Sequence, residues 1–391
     1  MNSSNPVGAV IIGSDFQALG AIRSLSEKNV PVFLIEHELG ISKFSRFVNR
    51  RAKDYSLLSS DSFTDRLIKI AEKENLKDWV LYPNNDEIIK LISINRDKLK
   101  DWYKIPVPSW DIVKNFYYKQ NAYRIAKNLS IPIPRIYKNG SIEQLLDNDY
   151  QFPVILKPAC KEDYYPIMKK KAIKINNRSE LVSEYKKMTS IIDSSNIVIQ
   201  DMIEGGPNKL FSYVTFFDGK KCVAGMSANR LRQHPMDFGH ATTYAESVEL
   251  PEIADMAEKL LKEMNYFGIA EVEFMKDDKE NEYKFLEING RIWGWHTLAK
   301  AAGINLPYLI FQHMIGEKIN AGKPIEDVKW IRLITDIPTV LKELLSGRMN
   351  LKEYLKTIRG KKEYAVFSFR DPLPFFMELL LMPYFWIKRG F

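Results

Sequence analysis

Residues 268–295, GIAEVEFMKDDKENEYKFLEINGRIWGW, read as two apolar strands joined by a short charged turn. Successive side chains of a strand point to opposite faces, so the VEF alternation turns Glu273 away from Val272 and Phe274. Residues 276–282 make the turn. In the second strand Glu287 and Asn289 are two apart and share a face, and Arg291 lies two further along it. Paired as a hairpin, the strands let Glu273, Glu287 and Asn289 converge on one point. Oxygen donors of this kind suit Mg2+ held jointly with phosphates, and Mn2+ takes the same donors. Ile269, Ala270, Val272, Phe285, Leu286 and Ile288 make both strands read as buried. A buried carboxylate without a partner is costly, and a metal would supply the partner. A surface hairpin that merely carries acidic residues is the plainer reading of the E-x-N triplet taken alone.

A chain of 391 residues, 45% hydrophobic and 27% charged, can build two or three cores. Its 57 basic and 49 acidic residues leave a net charge of +8, spread along the chain with no dense basic tract. That balance fits small anionic substrates or a membrane surface and argues against a nucleic-acid partner. Cys160 and Cys222 are too few for a disulfide scaffold and lack metal-ligand spacing, so a cytoplasmic location is expected. No basic n-region followed by an apolar core opens the chain, so no secretion signal is expected.

The opening is α/β. Residues 7–13 (VGAVIIG) read as a strand, 16–27 as a helix and 31–36 (PVFLIE) as a second strand, an order that implies a parallel sheet. Gly8, Gly13 and Gly20 do not form G-x-G-x-x-G, so a sharp turn near Gly13 and Ser14 is preferred to a dinucleotide site. Residues 79–83 (WVLYP) read as a third buried strand running into Asn84, Asn85, Asp86 and Glu87. These polar residues stand where open sheets bind ligands, and equally where a helix over 88–99 needs its cap. After prolines at 106 and 108, residues 152–158 (FPVILKP) form a buried strand ending in Lys157, a charge that asks for an anion. Residues 196–203 read as another strand, and 211–217 with 221–227 as a hairpin about Asp218 and Gly219. The fold class is therefore α/β followed by α+β.

The order of these motifs resembles the ATP-grasp superfamily over roughly residues 105–320. The matching stretches are K-x-x-A-Y-x-x-A-K-x-L-S-I-P-I-P from Lys119 to Pro134, PVILKP ending at Pro158, IQDMIEGG from Ile199 to Gly206, and GIAEVEF with FLEINGR up to Arg291. Residues 230–242 and 288–299 are similar to the predicted carboxylate–amine ligases related to the carbamoyl-phosphate synthetase large chain. The resemblance implies an N-terminal parallel-sheet domain over 1–105 and an ATP-grasp domain over 106–325. The latter divides into a lid at about 125–203 and a metal-binding part at about 204–325, and an extension follows over 326–391.

The resemblance also implies roles. Lys119 and Lys157 would approach the ATP phosphates. Gln200 and Asp201 with the backbone of Met202 and Ile203 would read adenine, and Asn208 stands where relatives carry an acidic ribose contact. Glu273, Glu287 and Asn289 would hold Mg2+, while Arg230, Arg232 and Arg291 would meet the γ-phosphate and the acyl-phosphate; for Arg230 and Arg232 a solvated strand face is the alternative. The implied activity joins a small-molecule carboxylate, amino acid or peptide-like, to an amine with release of ADP. A nucleotide-binding sensor or scaffold, or a kinase or carboxylase on the same fold, is the alternative. One departure stands out: the segment after Lys157 reads ACKEDYYPIMKKKAI, without the family's glycines. There Lys161, Lys169, Lys170 and Lys171 could replace backbone amides, the loop could order only with substrate, or ATP binding could be degraded. His234, His240 and His296 have no zinc spacing. Residues 367–391 pack Phe375, Phe376, Leu379, Leu380, Tyr384, Phe385 and Trp386 ahead of Lys388 and Arg389. They are too short to span a bilayer, which leaves an interfacial membrane anchor at the inner face, a helix docked on the core, or a homodimer contact.

Overall fold

The structure, a computed structural model, describes residues 6–389 apart from 60–61, 161–163, 169, 207, 237–238 and 240, and the backbone alone at 59, 166, 353 and 388–389. Among the described residues the strands form three sheets. The first contains β1 (Ala9–Ile12), β2 (Val32–Glu36), β3 (Arg50–Lys53), β4 (Trp79–Pro83) and β5 (Tyr103–Lys104) in the order β3-β2-β1-β4-β5, every pairing parallel. β1, β2 and β4 are buried along their whole length, as strands covered on both faces must be. The polar residues after β4 supply the expected helix cap. Asn85 caps the helix Asp86–Ile94 by accepting from the Ile88 amide, and Asp86 reaches across to Arg291.

The second sheet is antiparallel: β6 (Ile136–Tyr137), β7 (Val154–Pro158), β8 (Ile173–Ile175) and β9 (Ile197–Asp201), in the order β6-β9-β7-β8. It packs its own apolar cluster, from Tyr137 to Ile199. The third sheet runs β14-β13-β10-β11-β12-β15-β16. It is made of β10 (Leu210–Asp218), β11 (Cys222–His234), β12 (Ala241–Val248), β13 (Phe267–Asp277), β14 (Glu282–Asn289), β15 (Lys329–Ile331) and β16 (Lys362–Tyr364). The hairpin of β10 and β11 turns at Asp218, whose side chain accepts from the amides of Lys220 and Lys221, while Gly219 takes a φ of 94° that a side chain would resist. β15 and β16 extend this same sheet from the C-terminal segment. Two larger clusters bind the first and third sheets together: β1 and β4 side chains from both faces share cores with β13, β14 and the helices around them. The second sheet is thus a small unit with its own core, set beside a larger body.

The C-terminal helices Leu373–Leu380 and Met382–Arg389 dock with one side only. Just before them Asp371, 1% exposed, accepts from Arg23 Nε at 3.0 Å, Ser45 Oγ at 2.7 Å and the Arg46 amide at 3.0 Å. Arg23 also donates to the carbonyls of Val366 and Asp371. Glu378 is buried against Arg332 at 3.0 Å. Removing one member of a buried pair strands the other charge, so Asp371→Ala is expected to cost about 3–5 kcal/mol of unfolding free energy in a urea titration.

Candidate active site

The register of β13 and β14 sets the site. Glu273 lies opposite Glu287, and Glu271 opposite Asn289, so four polar side chains occupy one face of two adjacent strands. The register shifts between Glu273 and Phe274, which pairs with Phe285. That bulge turns Phe285 into the core and leaves Leu286 to line the cavity beside Glu287. The Asn289 amide nitrogen donates to Glu273 Oε1 at 2.9 Å and to Glu271 Oε2 at 3.2 Å. Glu271, absent from the sequence-based set, is the hub. It also accepts from Ser212 Oγ at 3.1 Å and Trp295 Nε1 at 3.0 Å. Burial first, and the Glu273 carboxylate next, push its acid up to about 8. The signal was present in the sequence: E-V-E places Glu271 on the same face as Glu273.

Two lysines meet this face. Lys119, the first residue of the helix Lys119–Asn128, lies 2.7 Å from Glu287 Oε2. Lys157, at the end of β7, donates to the Tyr123 hydroxyl at 2.9 Å, and that hydroxyl donates to Gln200 Oε1 at 3.2 Å. Burial, then the charge of Lys119, lower the Lys157 ammonium to about 7.

These residues line a cavity of about 610 Å³. Ile155, Met202, Ile203, Leu210, Met275 and Leu286 give it apolar walls from the second and third sheets, while Asp15, Phe16 and Gln17 come from the first sheet's β1–helix turn. Strand alternation divides the expected adenine contacts. Gln200 lines the cavity, whereas Asp201 faces the other way and accepts from the Tyr137 hydroxyl. Asn208 is exposed and is not among the lining residues.

The arginines separate likewise. Arg230 lines the cavity, 2.6 Å from Glu273 Oε2, with its Nε donating to Thr242 Oγ1 at 2.7 Å. Arg232, two residues on, would share that face in a regular strand. A bulge intervenes: Asn229 pairs with Glu246 but Arg232 with Tyr244, one residue more on β11 than on β12. Arg232 is therefore 2% exposed, held in a two-pronged bond to Asp336 at 2.8 and 2.9 Å and over the Tyr244 ring, and is not brought to the cavity. Arg291 lines the cavity and is held by both oxygens of Asp86 at 3.2 Å, with its NH2 donating to Asn289 Oδ1 at 3.0 Å. Arg332, at the end of β15, joins the lining 3.8 Å above the Phe16 ring. No local motif announces it, because only the pairing of β15 with β12 brings it there. Of the loop lysines Lys171 lines the cavity and Lys170 is exposed, while Lys161 and Lys169 lie outside the described residues, as does His240. His234 bonds Thr339 Oγ1, and His296 is buried, with burial lowering its pKa to about 4, so it is a neutral packing residue.

Lys157 is expected to titrate near 7 in an NMR pH series on 13C-labelled lysine, and Lys119→Met to move that midpoint upward, since a lowering charge is removed. An unfolded lysine titrates near about 10.4, so the unfolded chain binds more protons between the two values. Folding stability carried by this group therefore rises with pH across that window.

The chain is similar to several known proteins. A family model described as "ATP-grasp in the biosynthetic pathway with Ter operon" matches residues 226–336. The D-aspartate ligase of Enterococcus faecium (strain Aus0004) is 22% identical over 330 residues, covering 79% of this chain and 77% of that protein. The biotin carboxylase domain of Hydrogenobacter thermophilus 2-oxoglutarate carboxylase, solved with MgADP, ADP and bicarbonate, superposes with a TM-score of 0.65 at 15% identity, over 83% of this chain and 73% of that one. The L-amino acid ligase of Bacillus licheniformis gives a TM-score of 0.61 at 14% identity, over 83% and 76%.

Proposed function

We propose that this chain, which has the ATP-grasp fold, is an ATP-dependent ligase that joins a small-molecule carboxylate, an amino acid or peptide-like acid, to an amine. The observation that carries the reading is the meeting of Glu273, Glu287 and Asn289 with Lys119 and Lys157 at one cavity that also has an apolar wall of Ile155, Met202, Ile203, Leu210, Met275 and Leu286. The likeness to a D-aspartate ligase and an L-amino acid ligase supports it.

The donor set fits Mg2+. Among the described residues no three His, Cys, Asp or Glu side chains gather into a protein-only metal cage. Mg2+ is usually held by one or two carboxylates and completed by phosphate oxygens, which is what two glutamates beside two lysines offer. When bound, the ion would neutralise charge on the transferring phosphoryl group. Glu273 and Glu287, with the Asn289 amide, would hold it.

In this reading Ile155, Met202, Ile203, Leu210 and Leu286 enclose the adenine ring, and Gln200 with the backbone of Met202 and Ile203 faces its edge. Lys119 and Lys157 bind the phosphates as point charges. Anion binding favours the charged form of Lys157, so nucleotide should bind with proton uptake above about pH 7. Arg230 and Arg291 hold the γ-phosphoryl group and the carboxylate that attacks it, and Arg232 has no part in that step. The attack would give an acyl-phosphate and ADP. The amine then forms the C–N bond as the bond from the acyl carbon to the phosphate oxygen breaks, releasing phosphate. Lys171 would close over the phosphates from the second sheet. ATP as co-substrate suits a cytoplasmic protein.

ADP release that requires an acid and an amine together, in a screen of amino acids and small peptides, tests the reading. ATP binding without turnover across that screen would favour a sensor. Glu287→Gln keeps the shape and removes the charge. It should lower turnover by over about a hundredfold, since metal stabilisation of the transition state is worth several kcal/mol, while circular dichroism and melting stay as in the parent protein. Parent-like rates would remove Glu287 from the mechanism.

A further inference from the structure

The C-terminal helices Leu373–Leu380 and Met382–Arg389 carry two apolar stripes. The inner one, Pro374, Glu378, Leu381 and Phe385, packs on the body, and its single charge is spent on Arg332. The outer one runs Leu373, Phe376, Leu380, Tyr384 and Ile387, spaced three or four apart so that it forms a continuous face across both helices. Leu373 is 51% exposed, Phe376 59%, Leu380 70% and Ile387 87%, and Trp386 stands beside them at 47%. A surface helix normally turns polar residues outward, and one that is apolar all round is covered by something.

The surrounding charge says what. Among the described side chains of residues 366–387 the exposed charge is basic, that of Arg370. The acids of that stretch, Asp371 and Glu378, are turned inward and paired with arginines. Arg46 is exposed beside Arg370, at the start of the first helix. A second copy meeting this face about a two-fold axis would set these bases against themselves. An anionic lipid surface instead gains about fivefold in affinity for each basic side chain that reaches it. Trp and Tyr favour the interfacial zone. No described helix is long and apolar enough to cross a bilayer, so contact would be along the surface.

We propose that the outer face of the C-terminal helix pair, around Phe376, Leu380 and Ile387 and flanked by Arg46 and Arg370, docks on an anionic lipid bilayer. The face is presented already folded, because Asp371 and Glu378 pin the helices to the body, so no ordering cost opposes binding.

The test is sedimentation of the full chain with vesicles of phosphatidylglycerol and phosphatidylcholine, and with phosphatidylcholine alone. The expected result is binding to the mixed vesicles that weakens with salt and is at least tenfold weaker to neutral ones. The triple variant F376S/L380S/I387S, on exposed positions, should lose binding at least tenfold while keeping its melting temperature. Arg46→Glu with Arg370→Glu should lose it on mixed vesicles only. Vesicle binding unchanged in the triple variant would overturn the proposal. So would failure of the full chain to bind anionic vesicles, including the case in which light scattering shows a dimer that the triple variant abolishes.

Discussion

Glu271 and Glu273 stand two residues apart on one buried strand face, and this like-charge pair dictates what can surround it. Two carboxylates brought out of water next to each other must be hydrogen-bonded, paired or protonated. Asn289 donates to both, Arg230 lies against both, and burial with the neighbouring carboxylate pushes Glu271 toward the acid. The same demand draws in Trp295 and Ser212, and through Asn289 and Arg291 it reaches Asp86 at the edge of the first sheet. A chain of polar contacts thus crosses from the third sheet to the first, and the cavity is walled along it.

Opposite this fixed wall stands a smaller unit. The second sheet has its own core, and it reaches the site through Lys157 and its bond to Tyr123. Val198 and Ala159 tie it to one of the larger cores, while most of its apolar side chains pack on one another. That division suits a nucleotide held between two walls, one carrying the acidic face and one carrying a lysine that anion binding would charge. The C-terminal segment stiffens the fixed side: β15 brings Arg332 to the cavity, and Asp371 ties the last helices to the helix Phe16–Ser26 beside Asp15 and Gln17.

Much of this was legible from local pattern. Alternation in VEF and LEIN placed Glu273, Glu287 and Asn289 on one face, and the β-branched runs at the start gave the parallel sheet. What was not legible arose where the pattern breaks or where partners are distant. A single extra residue between Asn229 and Arg232 turned two arginines of apparently equal standing to opposite sides. The parity of β9 put Gln200 rather than Asp201 at the cavity, a choice that depends on which face the sheet presents. Arg332 and Asp86 belong to the site's surroundings only because strands far apart in sequence pair as they do. Glu271 follows from spacing alone, since E-V-E puts both carboxylates on one face.

The order of bond changes at this cavity can be followed by isotope. If a carboxylate oxygen attacks the γ-phosphorus, that oxygen leaves with phosphate when the amine takes its place on the acyl carbon. A substrate acid labelled with 18O in its carboxylate should therefore give inorganic phosphate carrying one labelled oxygen, with ADP as the nucleotide product. Unlabelled phosphate would reduce the activity to ATP hydrolysis, and pyrophosphate with AMP carrying the labelled oxygen, the products of an acyl-adenylate, would contradict a site built around the terminal phosphate.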